Sequence, residues 1–322
     1  MFNQTRLVSR SGLLLVAGIL AACTAAGSPG ASQTEPSIAA SAPASASEPS
    51  APSEACAPES LATKSAGQLT IATDNPAFPP YFDPPGDGEE APAPWDEGLG
   101  DPTNGRGFES AVAYAVADEL GFAEDAVNWI AVPFDNSFAP GEKDFDLYLA
   151  QVSFTEERSQ AVDLSDGYFF VNQALVARDG TAIADAASIA DVADYQLGVA
   201  QGTTSLSYIQ EQIQPASEPM VYNSNDAAIA ALNADQVDGI VVDLPTAFFV
   251  TAVQMDDGII VGQFPAAGGE GEDQEHFSLV LELDNPLTDC VNEALATLEE
   301  SGELESITTE WMSENAGAPV LE

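Results

Sequence analysis

The run Asp144-Phe145-Asp146-Leu147-Tyr148-Leu149-Ala150-Gln151-Val152-Ser153-Phe154-Thr155-Glu156-Glu157-Arg158, followed by Val162-Asp163-Leu164-Ser165-Asp166-Gly167-Tyr168-Phe169, discloses most about this chain. Its apolar centre predicts a strand over 146–150 that runs into a turn presenting first Ser153 and then Arg158. Further strands are expected at 69–73, 127–132, 174–178, 196–200, 220–222, 239–242 and 278–283. Between them Phe108, Val112, Ala115 and Leu120 share one helical face, as do Leu206, Ile209 and Ile213. Leu287, Val291, Leu295 and Leu298 form a third stripe, with Asn285 as N-cap, Pro286 in the first turn and Gly302 as the stop. Strands alternating with amphipathic helices define an α/β architecture.

A chain of 322 residues leaves room for about two domains. The 52 acidic residues face only 7 Lys and Arg, for a net charge of −45. Nucleic acid as a partner is excluded on that balance, because displacing counterions from phosphate takes clustered cations. With 45% hydrophobic residues the chain still has enough apolar surface for sizeable cores. Three cysteines and one histidine leave little scope for zinc or triad chemistry, so neither a metal nor a cofactor is expected.

At the N-terminus Arg6 and Arg10 precede an apolar run over 13–22 that is too short to span a bilayer. It ends in Leu20-Ala21-Ala22-Cys23, which resembles the lipobox of bacterial lipoproteins. The expectation is a signal peptide over 1–22, with Cys23 lipidated and the mature protein tethered outside the cytoplasmic membrane. An ordinary secretory signal with an incidental Cys is the alternative. Residues 23–65 are rich in Ala, Ser and Pro and read as a disordered tether with an r.m.s. reach of about 35 Å. Another Pro- and Gly-dense stretch, 83–105, reads as a solvated surface insertion with Trp95 as its bulky residue.

The Arg158 segment resembles the signature of family 3 periplasmic binding proteins, the receptors of polar amino acid ABC transporters. The resemblance extends from about Gln68 to Met312. It takes in Ile71-Ala72-Thr73-Asp74 with Phe78-Pro79-Pro80-Tyr81-Phe82, Gly107-Phe108-Glu109, Gly202-Thr203-Thr204-Ser205, Val237-Asp238-Gly239 leading to Asp243, and Gly302-Glu303-Leu304 with Trp311. It implies a two-lobed type II periplasmic-binding-protein fold with two crossing hinge strands. The first lobe would hold 66–168 and 267–322, and the second 169–266. It further implies a monomer that captures a small zwitterion between its lobes and presents it to a membrane permease.

A free amino acid carries a carboxylate and an ammonium, and leaving either unpaired in a closed site costs several kcal/mol. By the resemblance, Arg158 clamps the carboxylate, to which a guanidinium offers two parallel donors. Thr203 and Thr204 add donors at a helix start. Asp243 takes the ammonium, aided by Ser153 and the carbonyl of Gln151. Phe134 and Phe78, with Tyr81 as the alternative to Phe78, would sandwich the carbon skeleton, and Asp74 would meet the side chain. Gln151 and Tyr148 depart from the family's usual Gly and small aliphatic residue, so no particular ligand is implied.

Each residue also has a plainer reading. Arg158 serves as a surface ion-pair partner, Asp243 and the Gly-Thr-Thr-Ser turn as helix caps, the phenylalanines as core, and His276 as a structural or hinge-lining residue. A prephenate- or arogenate-type dehydratase shares the implied fold and remains an alternative, as does a surface sensor for amino acids. Cys56 and Cys290 are an even pair once Cys23 is lipidated, and an oxidising compartment would let them bridge; two separate thiols is the other reading. So acidic a surface also suggests adaptation to salt, since the Debye length shrinks to about 3 Å at 1 M. The melting temperature is expected to rise between low and molar salt, and a flat response in a thermal-denaturation series would remove that idea.

Overall fold

The computed structural model describes residues 56–86, 88–96, 99–267, 274–312 and 318–322. The expected signal peptide, Cys23 and the tether up to residue 55 lie outside the described residues. Apolar and β-branched runs produce ten strands there, and they sort into two sheets. β1 (Leu69–Thr73) is buried along its whole length, as a central strand covered on both faces must be. It lies between the parallel strands β2 (Val127–Ala131) and β3 (Leu147–Tyr148), while β4 (Val162–Phe170) and β10 (His276–Glu282) complete the order β2-β1-β3-β10-β4. The second sheet combines β5 (Gln173–Arg178), β6 (Leu197–Ala200), β7 (Met220–Tyr222), β8 (Gly239–Asp243) and β9 (Gly258–Gln263) in the order β7-β6-β8-β5-β9. In each, three parallel strands are extended by strands running antiparallel.

The chain passes from one sheet to the other between β4 and β5 and returns between β9 and β10. Both crossings lie side by side: Val171 N–H donates to Glu275 O at 3.0 Å and Phe264 N–H to Gln173 O at 2.7 Å. On the first sheet pack α1 (Phe108–Glu119), α7 (Leu287–Ser301) and α8 (Glu303–Met312), with α2 (Phe134–Ser137) at its rim. Around the second lie α3 (Ile189–Val192), α4 (Thr204–Tyr208), α5 (Asn225–Asn233) and α6 (Leu244–Phe249). The stripe Leu287, Val291, Leu295 and Leu298 is buried, each side chain contributing roughly 1.5–3 kcal/mol. Helix α7 starts one residue later than expected, with Asn285 Oδ1 accepting from Leu287 N–H at 3.0 Å, and it stops at Gly302 in the left-handed region.

Four expectations change. Strand 146–150 is regular only over Leu147–Tyr148, because the chain beyond it turns toward the cleft. The insertion 83–105 is anchored rather than solvated: Trp95 is buried in the first lobe's core, and its ring N–H donates to Asp74 O at 3.3 Å. Residues 56–65, expected to end the tether, lie against the first lobe, where Lys64 N–H donates to Asp146 Oδ1 at 2.7 Å. Residues 318–322, assigned by sequence to the first lobe, join the second: Gln263 N–H donates to Pro319 O at 2.8 Å, Gln263 O accepts from Leu321 N–H at 2.9 Å, and Leu321 is buried in the second lobe's core.

Cys56 and Cys290 form a disulfide that ties the incoming chain to the first turn of α7. It closes a loop of sequence separation 234. A bridge over so long a loop restricts the unfolded chain, and losing one typically costs about 2–5 kcal/mol. Cys56→Ser/Cys290→Ser protein is expected to melt several degrees below the unmodified chain, and the unmodified chain with reductant should fall to the same midpoint. Coincident melting curves with and without reductant would contradict this.

Candidate functional site

Between the two sheets lies a cavity of about 330 Å³. Its walls come from the carboxyl ends of strands in both lobes, where open α/β sheets place ligands. From the first lobe Asp74, Phe78, Phe134, Asp135, Gln151 and Arg158 line it; from the second, Thr203, Thr204, Asp226, Asp243 and Thr246. Eight of the nine ligand contacts expected from sequence therefore share one cavity, and Ser153 is the one that does not line it.

Arg158 begins a short turn after β3, where its N–H donates to Thr155 Oγ1 at 3.1 Å. Its guanidinium is buried and donates to Ser153 O at 2.5 Å in its own lobe and to Gly202 O at 2.8 Å in the other. The ring of Phe138 lies 4.5 Å from its central carbon and that of Phe134 5.6 Å. Among the described residues no carboxylate comes within 4.0 Å of it. Burial lowers its pKa, and the charges of Glu275 and then Asp243 oppose that. An arginine stays charged under these conditions, so it is not the surface ion-pair partner of the plainer reading.

Asp243 ends β8 and precedes α6, yet its side chain makes no capping hydrogen bond. Instead Oδ1 accepts from Gln173 Nε2 at 2.7 Å. Burial first, and the neighbouring charge of Glu275 second, push its carboxyl up to about 8, against the Gln173 hydrogen bond and the Arg158 charge. Thr203 does cap its helix: its hydroxyl donates to Ala200 O at 2.9 Å and accepts from Leu206 N–H at 3.3 Å. Ser153 does not line the cavity; its hydroxyl donates to Glu275 Oε1 at 2.7 Å and lies 3.4 Å from Thr204 Oγ1.

Phe78 faces the cavity and stacks on Phe249 at 5.4 Å, whereas Tyr81 is fully buried with its hydroxyl 3.2 Å from Thr246 Oγ1. The register of that loop is fixed by Gly107, at φ 93°, where an added Cβ would stand 2.6 Å from Tyr81 O. Gln151 lies in the left-handed region at φ 54°, a conformation that glycine adopts without steric cost. Here Glu109 holds it, accepting the Gln151 backbone N–H at 2.7 Å on Oε1 and the side-chain amide on Oε2. The Gln151 side chain at the cavity wall is thus tied down by Glu109. Glu109 itself is buried, and burial pushes its carboxyl up to about 7 against hydrogen bonds from Tyr168 and Gln151.

Sequence reading missed Asp135, Gln173, Asp226 and Glu275. Asp135 Oδ2 accepts from Gln201 Nε2 of the opposite lobe at 2.9 Å. Asp226 sits in the first turn of α5 after the N-cap Ser224, where an acidic residue reads simply as matched to the helix dipole. Burial raises the Asp74 pKa, and Asp135 of the same lobe and Asp226 across the cleft add repulsion. The arrangement offers one cation and several anions to a small guest, and among the described residues no cluster of His, Cys, Asp and Glu is arranged for a metal ion.

Known proteins share this build. The chain is 24% identical over 272 residues to an L-arginine-binding protein of Pseudomonas aeruginosa, covering 79% of this chain and 94% of the relative. To the glutamine-binding protein of an ABC transporter from Bacillus subtilis it is 23% identical, covering 68% and 77%. The solved structure of an ancestral arginine-binding protein bound to glutamine superposes with a TM-score of 0.58 at 25% identity, over 76% of this chain and 97% of that one. Residues 93–314, more than half of the sequence, match the bacterial extracellular solute-binding proteins, family 3, and the chain belongs to that family.

Proposed function

We propose that this protein is a lipid-anchored receptor that captures an amino acid with a cationic side chain and hands it to the permease of an ABC transporter. The observation that carries the reading is the buried Arg158 guanidinium, oriented by two carbonyls and without a carboxylate within 4.0 Å among the described residues, with Asp243 of the other lobe in the same cavity. That pair suits an α-carboxylate and an α-ammonium. Three further acids line the same cavity, Asp74, Asp135 and Asp226, with no second cation among its lining residues. A neutral side chain would leave their mutual repulsion in place, whereas a guanidinium or ammonium relieves it. Relatives named for arginine support this class, and others named for glutamine keep it a question for titration.

Closure follows from the same contacts. Ligand groups held from both sides favour the state in which both lobes touch them, which is the form a permease would engage. Against the dehydratase alternative, the curated relatives are named for binding, and a solved neighbour described as a precursor of cyclohexadienyl dehydratase is itself named an ancestral amino acid-binding protein.

Calorimetric titration tests the ligand. Arginine or lysine is expected to bind at least about tenfold more tightly than citrulline, a neutral analogue of arginine, and Asp226→Asn should narrow that gap. Arg158→Ala is expected to lose at least about thirtyfold, as removing one partner of a buried charge pair does. Citrulline binding as well as arginine would defeat the cationic assignment. For the anchor, labelling of producing cells with radioactive palmitate should mark the unmodified chain and leave Cys23→Ala unlabelled; freely released, unlabelled protein would remove it.

A further inference from the structure

We propose that Glu275, at the returning crossover, is a positioning residue that sets the orientation and charge of Asp243 through Gln173 and so governs how the ligand's ammonium is captured. The inference rests on the receptor reading above. It starts from a single side-chain amide. Gln173 is buried, and its Nε2 donates to Asp243 Oδ1 at 2.7 Å and to the two oxygens of Glu275 at 3.1 and 3.2 Å. Its Oε1 accepts from Ser205 Oγ at 2.6 Å. A flipped amide would point oxygen at two carboxylates, so the orientation is locked. Glu275 also takes the Ser153 hydroxyl at 2.7 Å. One carboxylate at the hinge therefore joins Ser153 of the first lobe to Gln173, Ser205 and Asp243 of the second.

Two acids on the two hydrogens of one NH₂ group repel each other. The groups facing Asp243 are Glu275 and Glu109, which disfavour its ionised form, Arg158, which favours it, and Tyr81, whose own ionisation it suppresses. With its pKa raised, Asp243 is protonated in the empty receptor below the folded value and ionised above it. An arriving ammonium selects the ionised form, so binding expels a proton and affinity falls as pH drops through that value. Glu275 is the largest charged contributor to the shift. Removing its charge should let Asp243 ionise at lower pH while leaving the hydrogen-bonding shape nearly intact.

The test is titration of the full-length protein with L-arginine and with L-glutamine between about pH 6 and pH 9, in buffers of different ionisation enthalpy, for the unmodified chain and Glu275→Gln. The unmodified receptor is expected to release a proton on binding and to lose about tenfold in affinity per unit on the acid limb. Glu275→Gln should shift that limb down by about one unit and release fewer protons near pH 7. Equal pH profiles in the two proteins, or a uniform loss of affinity at every pH, would overturn the proposal while leaving the receptor reading intact. Absence of proton release from the unmodified protein across the range would overturn it without reference to any variant's folding. No heat from either amino acid at any pH overturns the receptor reading and this inference together.

Discussion

A lone guanidinium, sunk between two lobes that are otherwise rich in carboxylates, organises this molecule. Arg158 bonds to a carbonyl of each lobe, so it is at once part of the wall and part of the closure. Water is largely excluded around it, and at low effective dielectric each charge facing it counts for more than it would on the surface. The acidic excess of the whole chain makes that buried guanidinium distinctive, because Glu275 and then Asp243 act on it from a distance rather than by contact. Acids outnumber the one cation among the cavity-lining residues, and a cationic guest would relieve that excess.

Much of this was legible in the sequence because local chemistry and global position agree. Arg158 and the Thr203 turn are placed by their resemblance to a family signature, and both line the same cavity. Strands β4 and β9 were harder. Asp163, Asp166 and Gly167 interrupt β4, whose half-exposed pattern hides its pairing with β10, and β9 carries glycine at its first and its fifth position. Glu275 and Asp226 carry no local signal at all in a chain with 52 acids. Their importance comes from which strand or helix start meets the cleft, and that is a property of topology.

The same contrast separates Gln151 from a simple substitution. Sequence marks it as a polar residue where a glycine is usual, which suggests a new contact for the guest. The backbone shows a residue in the left-handed region held by both oxygens of Glu109. A buried acid beneath the floor supplies with hydrogen bonds what a missing side chain supplies elsewhere, at the cost of burying a carboxyl. Glu109 therefore links α1 to the floor of the cleft, and Tyr168 extends the link to β4.

The disulfide and the C-terminal tail divide the molecule mechanically. The chain enters the described fold at Cys56, covalently joined to α7 on the first lobe, while its last residues are sewn to β9 on the second. A pull on the chain upstream of Cys56 would therefore load α7 at the helical back of the first lobe and not the cleft, and a fluorophore attached at Glu322 would report on the second lobe.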